Sequence, residues 1–153
     1  MKYLIMMVVA LLAANWTSPA HAADKAGAMN QVKAGELVID PPTLINLGFE
    51  WVIQGDDNRN AKVTVSYRKM GEAAWKTGMS LLRLQHERVY QRDGVFNVEM
   101  PNMFAGSVLD LEEDTAYEVR LTLSDPDGGG AVKTVTVKTR AEPKPWAGGH
   151  VYH

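Results

Sequence analysis

The chain has 153 residues, with 16 Lys and Arg against 18 Asp and Glu, a formal net charge of -2, and no cysteine. That balance argues against a nucleic-acid binder, which needs a basic stripe, and the missing thiols exclude a disulfide framework, a thiolate metal site and a cysteine nucleophile. Once a leader is set aside, the length suits one sandwich-sized domain with a few extra elements.

The first 22 residues read as a signal peptide. Lys2 supplies a positive start, Tyr3 to Ala14 form an apolar run short for a bilayer span, and Ala20-His21-Ala22 is a small-x-small cleavage signature. A retained membrane anchor is the other reading, but Asn15, Thr17, Ser18 and Pro19 interrupt the apolar run early. Removing residues 1–22 takes away Lys2 alone among the charges, leaving 15 cations against 18 acids. The expected mature protein is exported to the periplasm or the medium, soluble and without a stable membrane anchor. Residues 23–35 are small and polar and predict a flexible leader.

From Glu36 the pattern changes to short strands between turn residues, the rhythm of an all-β sandwich. Leu37 and Ile39 precede Pro41-Pro42, which suits an edge strand because proline cannot donate to a ladder. Ile45, Leu47, Phe49, Trp51 and Ile53 alternate with polar or small residues and predict a strand with one buried face. After the turn at 55–60, Val63, Val65 and Tyr67 alternate with polar neighbours in the same way. Leu81, Leu82 and Leu84 predict an extra strand, and Asp93-Gly94 a hairpin turn before Val95, Phe96 and Val98. The segment 101–111 leads into a turn. Beyond it Tyr117, Val119, Leu121 and Leu123 share one face of a strand and Glu118, Arg120 and Thr122 the other. A hairpin turn at 125–130 then predicts a last strand over 131–139.

Three of these segments together resemble a fibronectin type III domain: Phe49 to Trp51, Lys62 to Trp75, and Leu111 to Val119, in which a leucine, a polar turn and Tyr117 form a tyrosine corner. The resemblance covers residues 36–141. It implies an immunoglobulin-like antiparallel β-sandwich in which Trp51, Tyr67, Leu111 and Tyr117 are structural. The stretches GDDNRNAKV, PNMFAGS and LTLSDPDGG also resemble N-terminal modules of secreted bacterial proteins that continue into a right-handed parallel β-helix similar to polysaccharide lyases. That second resemblance implies a C-terminal domain of the same polypeptide as partner. The proline-rich segment from Glu142 to Trp146, in the stretch 142–153, then reads as a linker and the start of that domain.

Candidate sites are few, and each has a plainer reading. His150 and His153 form H-x-x-H, but on a strand they point to opposite faces and no third ligand is near in sequence. Asp56, Asp57, Asn58 and Asn60 offer oxygens to calcium, yet lack the glycine and distal glutamate of an EF-hand, so a solvated turn is expected. Ser80, His86 and Asp93 make a triad only on paper, because no nucleophile elbow surrounds the serine. Trp51 lies mid-strand and reads as core. Trp75 is the candidate for binding a sugar ring, although in the resembling family that position packs on the sandwich.

No catalytic residue, metal site or cofactor is therefore expected. Together with the resemblances, which imply the carbohydrate-active context and allow polysaccharide as a partner, the reading is a non-catalytic accessory or spacer module of a secreted, carbohydrate-active protein. The alternatives are the first part of a polysaccharide lyase-like β-helix enzyme, or a free-standing adhesion module.

Overall fold

The structure is a computed structural model that describes residues 28–90, 94, 96–146 and 148–149. The expected signal peptide, Asp93, Val95, His150 and His153 lie outside them. All regular structure among the described residues is β-strand. The elements are β1 (Lys33–Ile39), β2 (Leu47–Gln54), β3 (Lys62–Lys69), β4 (Lys76–Thr77), β5 (Leu82–Leu84), β6 (Arg88–Tyr90), β7 (Asn97–Glu99), β8 (Met103–Val108), β9 (Ala116–Ser124) and β10 (Gly130–Lys138). One sheet has the order β1-β2-β8-β5 and the other β10-β9-β3-β4, with β6-β7 as a separate hairpin. Every pair is antiparallel.

Period-2 patterning explains which faces meet. Leu47, Phe49, Trp51 and Ile53 of β2 are buried, and so are Val63 and Val65 of β3 and Tyr117, Val119, Leu121 and Leu123 of β9. These alternate residues interlock between the sheets, and Trp51 at their centre is fully buried. A buried indole N–H needs an acceptor. Trp51 Nε1 donates to the carbonyl oxygen of Gly35 at 3.3 Å, at a point where the β1-β2 register shifts between Ala34 and Leu37. The same carbonyl, at the exposed edge of the sandwich, also accepts from Lys133 Nζ at 3.1 Å.

Three local expectations about the strands change. Ile45 is exposed and precedes the strand, because Thr43 Oγ1 accepts from the backbone N–H groups of Ile45 and Asn46 and reverses the chain there. Segment 101–111 contains a full strand, β8, in the interior of the first sheet. Leu81 and Leu82 separate: Leu81 bridges Val63 in the second sheet, while β5 pairs with β8 in the first. The chain thus switches sheets at this point, and the buried Leu81 side chain packs against Gly106, filling the seam between the sheets.

The ordered fold also begins before Glu36. Val32 is buried in the core, and its N–H reaches both Asp125 Oδ2 at 2.7 Å and the Gly128 carbonyl at 3.3 Å. Met29 and Asp57 exchange hydrogen bonds in both directions. Residues 28–35, expected as part of a flexible leader, are instead held between the β2-β3 and β9-β10 turns by polar contacts that hydropathy does not register. Gly55 and Gly129 make this possible. Both have positive φ, 76° and 86°, and a Cβ on either would overlap a carbonyl oxygen of Gln31 or Val32.

Gly129→Ala therefore carries two penalties and Gly71→Ala one, since Gly71 has φ 90° and nothing lies within 4 Å of the point a methyl group would occupy. Denaturant melts should show a loss of about 1–2 kcal/mol for Gly71→Ala and about 3 kcal/mol or more for Gly129→Ala.

Candidate functional site

The two poles of the sandwich differ in chemistry. At the first pole the chain enters β1 and the β2-β3 and β9-β10 turns meet; at the second it leaves β10. The second pole is built around the tyrosine corner. Leu111 is buried and its N–H donates to the Ile45 carbonyl at 2.9 Å. Tyr117 is buried beside it, and its hydroxyl accepts from the Glu112 N–H at 2.9 Å. The Tyr67 ring tilts against that of Tyr117, centroids 6.3 Å apart. The four residues expected to be structural, Trp51, Tyr67, Leu111 and Tyr117, all face the core or its edge.

Thr139 completes this pole and was not among the expected site residues. It lies where the alternation of β10 places an inward side chain, yet it is polar and 2% exposed. Its hydroxyl accepts from the Thr115 N–H at 3.0 Å and donates to the Glu112 carbonyl at 2.6 Å, while its own N–H donates to the Thr115 carbonyl at 3.0 Å. Arg140 N–H then donates to the Thr43 carbonyl at 2.9 Å, and Asp114 N–H to the Arg140 carbonyl at 3.1 Å. The base of the proline-rich segment is thus bonded to two different turns. The Lys69 ammonium donates to the Glu112 carboxylate, which holds the lysine above its ordinary pKa.

At the first pole Asp56 departs from the expected solvated turn, for it is completely buried with φ 57°. Its Oδ1 accepts from the N–H groups of Asn60 and Ala61, each at 2.9 Å, and its Oδ2 accepts from Arg83 Nε. Arg83 also lies over the Phe104 ring at 5.3 Å and donates to the Asp56 carbonyl. Burial of both charges is tolerated because each polar atom has a partner. Asn58 and Asn60 side chains donate to Asp127 Oδ2 at 2.6 and 2.7 Å, which lowers the Asp127 pKa below the ordinary aspartate value. Asp56, Asn58 and Asn60 are thus engaged within the protein, and no group of metal-binding residues occurs among the described residues.

The third locale is the outer face of the second sheet. Trp75, just before β4, is half-buried there. The Arg68 guanidinium lies 4.5 Å and that of Arg120 4.3 Å from the indole ring, and Arg68 pairs with Glu118 at 2.6 Å. Trp75 consequently rests on arginine side chains outside the sandwich. Elsewhere, His86 has φ 60° and its Nδ1 faces Glu99 Oε1 at 3.2 Å, both side chains 61% exposed. That places the histidine at the open base of the β6-β7 hairpin, beside an exposed glutamate.

Removing single partners tests these bonds. Thr139→Val keeps the volume and leaves the Thr115 N–H and Glu112 carbonyl without their partner; thermal or denaturant melts should show a loss of about 2–3 kcal/mol, and Tyr117→Phe about 1–3 kcal/mol. Glu118→Gln, which weakens only a partly exposed pair, should cost no more than about 1 kcal/mol. For Asp127, a lowered folded-state pKa means a contribution present above the unfolded pKa and lost as pH falls through the folded value. In a carboxyl NMR titration, Asn58→Ala with Asn60→Ala should bring Asp127 back up to the ordinary aspartate range.

No protein-family model matches the sequence, and no curated protein does. Among solved structures, the chain is similar to the fn3 domain of the human collagen alpha-1(XX) chain, 18% identical over 75% of this chain and 90% of that one, with a TM-score of 0.47. It is similar to the fibronectin type-III domain of human fibronectin type III domain containing protein 3, 12% identical over 82% and 99%, with a TM-score of 0.44. A redesigned β-sandwich protein is 13% identical over 72% and 96%, with a TM-score of 0.44. These neighbours are fibronectin type III domains and related β-sandwiches. The strand order and the corner themselves make the chain an all-β, fibronectin type III-like sandwich.

Proposed function

We propose that this protein is a non-catalytic accessory module that acts as a rigid spacer at the front of an exported, carbohydrate-active polypeptide. The observation that carries the reading is the path of the chain. Val32 is bonded beside Gly128 at one pole, and the nine-residue strand β10 separates that point from Thr139 at the other. A strand of that length spans about 30 Å. At the far pole the buried Thr139 and the Arg140 backbone anchor the departing chain, and Glu142 to Trp146 contain two prolines that favour extended backbone. Such an arrangement holds the entering and departing segments apart along one axis.

Export is supported by the signal-like residues 1–22, and the carbohydrate-active context by the sequence resemblance to modules that precede β-helix domains. Elimination chemistry on a uronate needs a base and a group that neutralises the carboxylate, converging on one site. The described residues bring His86 to an exposed glutamate and Ser80 to the protein surface. The role is accordingly assigned to geometry rather than to turnover.

The absence of cysteine allows site-specific spin labelling at introduced thiols. With labels at Asn30→Cys and Glu142→Cys, double electron-electron resonance should give one narrow distance of about 30–40 Å; a broad distribution extending to short separations would contradict a spacer. The purified chain should release no unsaturated sugar from alginate, pectate or chondroitin, and release that is lost on His86→Ala would show an enzyme instead.

A further inference from the structure

The outer face of the second sheet has a chemistry that a spacer does not require. Pairing registers set its rows. Thr136, Glu118 and Arg68 lie side by side and lead to Trp75; Thr134, Arg120 and Ser66 form the next row, and Thr122 and Thr64 lie in the row beyond. Neighbouring strands are about 4.8 Å apart, so this is a close-spaced array of hydroxyls crossed by guanidinium groups.

Its charges are not balanced. Arg68 is paired with Glu118, whereas Arg120 is exposed and has no carboxylate within salt-bridge reach among the described residues, and the same holds for Lys62 at the end of the face. Lys62, Arg68 and Arg120 against Glu118 leave this surface positive on a chain whose formal net charge is -2. The Arg120 guanidinium is also pre-positioned, because it stacks 4.3 Å from the Trp75 ring. Stacking removes much of the rotamer freedom that a free arginine would lose on binding.

We propose that this face binds an acidic polysaccharide, a chain of sugar rings carrying carboxylates, with Arg120 as the anion contact. A planar guanidinium matches a carboxylate in two parallel hydrogen bonds. The threonine rows supply donors and acceptors for sugar hydroxyls, and the partly exposed Trp75 edge lies beside Arg120 as an apolar border. The face has one aromatic and a small positive excess, short of the stacked platforms and basic groove that a single-stranded nucleic acid uses. An apolar protein partner would find Val132 as the exposed large hydrophobic residue of these rows. The assignment deepens the carbohydrate-linked part of the proposed function and is independent of the spacer geometry.

Native affinity electrophoresis of the full chain through gels containing alginate, neutral dextran or single-stranded poly(dT) tests it. Alginate should retard the protein in a salt-sensitive way, and dextran and poly(dT) should not. Arg120→Glu should weaken retardation about tenfold or more. Thr136→Glu, which keeps Arg120 and Trp75 and adds a negative charge in the adjacent row, should weaken it in the same direction. Lys33→Glu, on an exposed position of the first sheet, should leave it unchanged, and melting curves establish that each variant is folded. No retardation by alginate, equal retardation by poly(dT), or equal loss in Lys33→Glu would overturn the proposal. The spin-label distance would be untouched by that failure, so the spacer reading stands or falls separately.

Discussion

The hydrogen bond from the Glu112 N–H to the Tyr117 hydroxyl is the constraint on which the exit pole depends. It lies where a polar turn must pass over the end of the core between two strands of different sheets. Leu111 is inserted below and the tyrosine hydroxyl receives the amide above, so the turn is held from both sides. Two further backbone groups of that turn meet the chain just past β10, where the Thr139 hydroxyl accepts from the Thr115 N–H and donates to the Glu112 carbonyl. The chain leaves the sandwich from a point bonded on both sides. A module without disulfides gains directional rigidity here from hydrogen bonds that are dry on one face, where an unmade bond is costly.

The opposite pole solves a different problem. Three chain segments meet there without a regular ladder, and their backbone polar groups must still be satisfied. Asp56 does this from inside, accepting two N–H groups with one oxygen and Arg83 with the other, and Asp125 does it from outside for Val32. Gly55 and Gly129 let the entering segment approach closely enough to be reached. Acidic residues that look in sequence like a solvated or cation-binding loop are thus engaged as acceptors for the protein's own amides.

Period-2 alternation marks the part of the fold that is legible in the sequence. β2, β3 and β9 are readable because Leu47 to Ile53, Val63 to Tyr67 and Tyr117 to Leu123 alternate cleanly, and the corner is readable because leucine, turn and tyrosine stand at a characteristic spacing. β8 is not, since its residues MFAGSV put two large buried residues in succession and then Ala, Gly and Ser, so no period shows. Its Gly106 is small because Leu81 crosses over it, a contact between segments remote in sequence. The switch of sheets at Leu81 is hidden for the same reason. Among site residues, Thr139 leaves one faint signal, a polar side chain on the inward phase of β10. Asp56 leaves none, because burial of one carboxylate in an acidic loop depends on where Arg83 arrives. The position of Trp75 on arginines requires knowing that Arg68 and Arg120 share a face and that the tryptophan comes up beside them.

The proposed spacer role requires an exit pole held as firmly as the core, so that a fixed direction is passed to the chain beyond Arg140. Native-state hydrogen exchange tests this directly. The amides of Glu112, Thr115 and Arg140 should exchange as slowly as that of Val119 in the middle of β9, and all four should open with the same denaturant dependence. Exchange at Thr115 and Arg140 at the rate of the exposed loop residue Glu113, while Val119 stays protected, would contradict it.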